Sequence, residues 1–63
     1  MSALAGRIRK ARDAAVLTQV ELAERLGVSQ RTLQGWEAGM SFPQPRHRRL
    51  LLAFIAEHEE VAA

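Results

Sequence analysis

The chain predicts an all-α fold, one domain of four short helices over residues 1–63. Three observations carry that expectation. Apolar residues recur at intervals of three and four, the spacing of a single helix face. Thr18 and Glu21, three residues apart, form a helix-start signature. Gly27, Val28 and Ser29 together read as the end of one helix and the cap of the next.

Size and composition bound the rest. The 63 residues carry 48% hydrophobic side chains, nine Lys and Arg against seven Asp and Glu, and no cysteine. That hydrophobic share is too high for a solvated tail, and the length too short for two domains. A domain of this size buries only about 60% of the surface its unfolded chain exposes, so its stability margin is thin. Without cysteine there is no disulfide framework and no thiolate zinc site, and well-capped helices or a partner subunit must compensate. The longest apolar run, Leu50 to Ala56, falls short of the roughly 18 residues that a bilayer span needs. With no signal-peptide pattern at the N-terminus, a cytoplasmic protein without membrane association is expected.

The first helix is marked by Leu4, Ile8, Ala11 and Ala15, a weak apolar stripe flanked by Arg7, Arg9 and Lys10. The second begins at Thr18, where a capping box with Glu21 combines with a Leu17–Leu22 staple. It should bury Leu22, Ala23 and Leu26 and stop at Gly27. Ser29 then caps a third helix, with Val28 spaced to staple onto Leu33. Counting about 100° per residue from Leu33, Trp36 and Glu37 turn inward, while Arg31, Gln34, Gly35 and Ala38 turn outward. Gly39 ends this helix, and Pro43 and Pro45 mark an irregular connection to a fourth, over roughly 46–60. There Leu50, Leu51, Leu52, Phe54 and Ile55 sweep an arc of about 200°, wider than one core covers, which predicts an exposed patch at Leu50 or Leu52 and a homodimer contact.

Charge is unevenly spread. Residues 1–49 hold all nine basic side chains and four acidic ones, a balance of +5, and residues 50–63 hold three acids and no base, −3. A basic body with an acidic tail suits a polyanion on one surface, although charge runs are more often simply solvated.

A helix, a Gly-Val-Ser turn and a second short helix form a helix-turn-helix unit over 18–38. The stretch LTQVELAERLGVSQRTLQGWEAGMSFP, residues 17–43, closely resembles the Cro/phage-repressor (Xre-type) DNA-binding domain. The likeness rests on the T-Q-x-E-L-A opening, the L-G-V-S turn, the W-E-x-G close and the following Pro. It implies a lambda-repressor-like fold and a regulator of transcription, a repressor in particular, whose recognition helix, about 29–38, enters the major groove of double-stranded DNA.

The resemblance implies roles for single residues. Gln30, Arg31 and Thr32 would read base edges, with Gln34 and position 35 further along. Arg31 is suited to the paired acceptors of guanine and a Gln to adenine. Gln19 would touch phosphate and brace the recognition helix, and the cap residues Thr18 and Ser29 are grouped with it at the DNA backbone. Arg12 and Glu37 match a family ion pair, and a carboxylate on the inward side needs such a partner on physical grounds as well. Trp36 is read as core rather than as a base-stacking platform.

Arg46, His47 and Arg48 crowd the start of the fourth helix with Arg49, where the helix dipole disfavours cations, and phosphate is the economical partner. The chain departs from the family in having Val16 where Gly is frequent, in having Gly35 where a larger side chain is usual, and in leaving only a few residues after the fourth helix, so that the usual fifth helix is expected to be absent or fused with the fourth. No cofactor or metal is implied: His47 and His58 lie about 16 Å apart on one helix and cannot share an ion, and no catalytic constellation is present. The competing expectation is a protein-interaction module, antitoxin-like or accessory to a regulator, with the apolar fourth helix docking on an additional protein partner.

Overall fold

The computed structural model describes residues 3–59. They form four helices: α1 (Ala3–Ala14), α2 (Gln19–Leu26), α3 (Gln30–Glu37) and α4 (Pro45–His58). Among the described residues there is no strand, and the all-helical class read from the spacing stands. α4 closes the described part of the fold, with no fifth helix before residue 59. Its bounds correct the expected 46–60. Pro45 lies inside the helix as its first residue, where a missing N–H costs nothing, rather than in the connection. The α-helix ends at His58, and residue 60 lies outside the described residues.

Each helix contributes to one core. Ile8, Leu22, Leu33, Leu51 and Ile55 are the large side chains fully removed from water, one from each of the first three helices and two from α4. Each such burial contributes roughly 1.5–3 kcal/mol to the favourable side of folding. Ala5, Ala11, Ala23, Leu26, Trp36, Pro43 and Phe54 complete the buried apolar set, with Leu4, Ala15, Leu17 and Val28 packed around it at partial exposure. Ala5 lies outside the stripe predicted for α1, because α1 is covered along a wider arc than one row of side chains.

The start of α2 has its full cap: the Thr18 hydroxyl accepts from the Glu21 N–H at 3.1 Å, and the Thr18 N–H donates to Glu21 Oε1 at 2.8 Å. Thr18, chiefly through its backbone N–H and less through its side chain, holds the Glu21 carboxyl below the ordinary carboxylate range. Ser29 caps α3 in the same way, its Oγ accepting from the Thr32 N–H.

Three helix ends share one hydrogen-bond pattern. After α1, Leu17 N–H reaches the Arg12 carbonyl and Val16 N–H that of Asp13; after α2, Val28 reaches Ala23 and Gly27 reaches Glu24; after α3, Met40 reaches Gly35 and Gly39 reaches Trp36. This is the Schellman arrangement, which requires a left-handed residue just past the helix. Gly27 and Gly39 supply it at φ 73° and 74°, but after α1 the residue is Val16 at φ 57°. α3 therefore ends at Glu37, and Gly39 serves the turn beyond it.

Candidate nucleic-acid interface

α2, the Gly27–Val28–Ser29 turn and α3 form the helix-turn-helix unit. α3 divides its eight residues by face. Leu33, Trp36 and Glu37 are buried, whereas Gln30, Arg31, Thr32 and Gln34 are exposed and Gly35 is half-buried. The interleaving of anchors and exposed polar groups follows from helical periodicity alone.

The inner side is fixed by a carboxylate. Glu37 is only 4% exposed. Arg12 of α1 grips it with two bonds, Nε to Oε2 at 2.8 Å and an NH2 group to Oε1 at 3.1 Å, and its third nitrogen donates to the Leu17 carbonyl. Bonding to Glu37 raises the Arg12 pKa above its ordinary value, against the opposing effect of burial. A two-pronged pair of this kind fixes direction as well as distance. Arg9 adds a bond to the Glu37 main-chain carbonyl, so two cations sit where the α3 dipole is negative.

The same carboxylate governs the outer side. Gln19, at the first turn of α2, donates from Nε2 to Glu37 Oε1 at 3.1 Å, and its Oε1 accepts from Gln34 Nε2 at 3.2 Å. A carboxylate can only accept, which fixes which way round the Gln19 amide lies and, through it, that of Gln34. A continuous hydrogen-bonded chain thus runs from Arg12 through Glu37 and Gln19 to the exposed Gln34. At the front of α3, the Thr32 hydroxyl accepts from Ser29 Oγ at 2.9 Å, which leaves its own hydrogen free to donate outward.

The remaining residues flagged in the sequence fall in three places. Thr18 and Ser29 are exposed at the helix starts of the unit, with Gln19 half-buried beside them. Arg46 and Arg48 are exposed at the start of α4, while His47 is half-buried, its ring 6.0 Å from that of Trp36 and tilted by 46°. This contact ties the basic start of α4 to the buried side of α3. Leu50 and Leu52 are 54% and 38% exposed. Two residues apart, they stand on opposite flanks of the buried Leu51, Phe54 and Ile55, so they do not form one patch. Leu52 instead shares a shallow cleft with Leu4, Phe42 and Pro43, alongside Arg7 and Arg48.

Arg9 was not among the residues expected to position α3, although it stands three residues before Arg12 on the same face of α1, and that spacing could have revealed it. The two histidines are spoken for separately: His47 by Trp36, and His58 by Phe54, whose carbonyl accepts from His58 Nδ1 at 2.9 Å. No group of three or more potential ligands among the described residues could hold a metal ion. No helix among them is long and apolar enough to cross a membrane.

The family model described as helix-turn-helix, of the Cro/C1 type, matches residues 8–53, well over half of the chain. No curated protein and no solved structure matches the chain significantly.

Proposed function

The chain belongs to the Cro/C1-type helix-turn-helix family of DNA-binding transcription regulators, and from that premise we propose that it binds double-stranded DNA sequence-specifically in the cytoplasm and acts as a repressor. The observation that carries this is the two-sided build of α3: an exposed polar row, Gln30, Arg31, Thr32 and Gln34, on a rod whose opposite side is held by Leu33, Trp36 and the Glu37 ion pair. In this reading Arg31 reads guanine and Gln30 adenine, with Thr32, Gln34 and position 35 facing neighbouring bases. Thr18, Gln19, Ser29, Arg46, His47 and Arg48 neutralise or hydrogen-bond flanking phosphates and set the register. Two copies bind as a homodimer on half-sites about 34 Å apart, one turn of DNA. The exposed Leu52, with Phe42 at 69% exposure, favours a contact between copies on that side, and Leu50 lies outside it.

Selection of bound duplexes from a random pool supplies the test. Arg31→Ala is expected to relax preference at one base pair per half-site, and Arg48→Ala to weaken all duplexes alike and lower the salt slope by about one charge. Equal loss on selected and random duplex for Arg31→Ala removes it from the reading edge. A wild-type chain that retains no duplex below about 50 mM salt overturns the proposal in favour of a protein-interaction module, because even non-specific affinity is electrostatic.

A further inference from the structure

Gly35 sits on the outward side of α3, within about 60° of Arg31 and Thr32 around the helix axis. The place its side chain would take is already filled. A Cβ at Gly35 would stand 2.8 Å from Ser41 Oγ and 3.9 Å from Ser41 Cβ. The first of these is closer than real Cβ contacts occur, so a side chain at position 35 and the serine hydroxyl in this place cannot coexist.

The main chain holds the serine there. Both the Met40 and Ser41 N–H groups donate to the Gly35 carbonyl, at 2.9 and 3.3 Å. Gly35 is half-buried in consequence, while Ser41 itself is exposed. The loop after α3 has therefore folded back and laid a hydroxyl over the outward face, beside the row of Arg31 and Thr32. That hydroxyl makes no hydrogen bond within the described residues, whereas the Thr32 and Gln34 side chains are each already bonded once.

We propose that Ser41 is a reading residue: its Oγ stands in for the side chain that position 35 lacks and hydrogen-bonds a base edge in the major groove, opposite the C-terminal half of α3. The inference rests on the DNA-reading role proposed above for α3. A hydroxyl can donate or accept, so it suits either kind of base-edge group, and its contribution is that of one hydrogen bond. Gly35 is then needed to leave room for the hydroxyl, not to bring the main chain against the base.

The test compares wild type, Ser41→Ala, Gly35→Ala and the double variant on the selected duplex, on its single-base-pair variants and on random duplex, with circular dichroism confirming helical content. Ser41→Ala is expected to bind the selected duplex about three- to ten-fold more weakly, the worth of one hydrogen bond, and to lose its preference at one base pair only. Gly35→Ala folds, because a serine hydroxyl can swing away about a single torsion, and it shows the same loss by evicting that hydroxyl. The double variant loses no more than either single one. Losses that add, an equal loss on selected and random duplex, or no loss for Ser41→Ala overturns the inference. A wild-type chain indifferent to every duplex overturns this assignment together with the DNA reading. A chain whose preference depends on Arg31 but not on Ser41 overturns this one alone.

Discussion

Replacing Val16 with glycine is expected to stabilise the domain. Val16 occupies the left-handed position of the turn after α1 at φ 57°, where a residue with a Cβ is strained by roughly 1–2 kcal/mol. Its side chain is 87% exposed, so its removal forfeits little burial. Against the relief stands the greater freedom of glycine in the unfolded chain, which costs about 0.4–1 kcal/mol. The balance is a gain of about 0.5–1 kcal/mol. For a domain of this size, each kcal/mol moves the melting temperature by about 4–8 °C, so Val16→Gly should melt about 2–8 °C higher. Scanning calorimetry measures this directly. Gly27 offers the reciprocal experiment within the same molecule: it fills the matching position after α2, and a Cβ there meets nothing within 4 Å. Gly27→Ala therefore introduces strain without a clash, and a loss of about 1 kcal/mol is expected from the same two opposing effects. Val16→Ala, which keeps a Cβ, should recover only a small part of the gain. An unchanged or lowered melting temperature for Val16→Gly, beside a clear loss for Gly27→Ala, would refute the assignment of strain to Val16.

Three further outcomes follow from the geometry. Glu37→Ala strands Arg12 in a partly buried site without its carboxylate and should cost about 3 kcal/mol by urea unfolding, near the lower end for a broken buried pair because Arg12 keeps some contact with water. Glu21, whose carboxyl is held below its ordinary range by Thr18, stabilises the fold fully above the unfolded carboxylate pKa, and that stability is lost as pH falls through the lower folded value. Melting curves taken between about pH 6 and pH 3 should accordingly drop more steeply for wild type than for Glu21→Gln, and parallel curves would count against the cap. Finally, Leu52→Lys should shift sedimentation toward the monomer while Leu50→Lys does not; equal effects from both would contradict the separation of the two side chains across α4.

Helix starts and the core were legible in the sequence because their causes are local. Thr18, Glu21 and Ser29 announce helices through bonds made within four residues, and Leu22, Leu33 and Trp36 disclose their burial by spacing alone. The ion pair of Arg12 and Glu37 was accessible because an inward carboxylate demands a cation. What spacing could not disclose depends on long-range docking. Ala5 is buried on the side of α1 that carries Arg9 and Arg12, outside the one stripe that spacing marks. Arg9 reaches a main-chain carbonyl, a partner with no signature in the side-chain pattern. Ser41 lies in a loop, where no periodicity tells which way the chain folds back, and so the space over Gly35 could be judged only from coordinates. Val16 stood out as a departure from the family, but whether the turn would bend to suit valine or valine submit to the turn was decided by the bonds from Leu17 and Val16 back to α1.

The alternation along α3 separates what holds the helix from what it displays. Leu33, Trp36 and Glu37 clamp the rod to the body, and substitutions at Gln30 and Arg31 touch neither these anchors nor the Ser29 cap that Thr32 bonds, so a lineage could rewrite its target at those two sites while its thermal endurance stayed nearly constant. Gln34 is the exception, since its amide is wired through Gln19 to the clamp, and a change there would be felt in the scaffold as well as in the message.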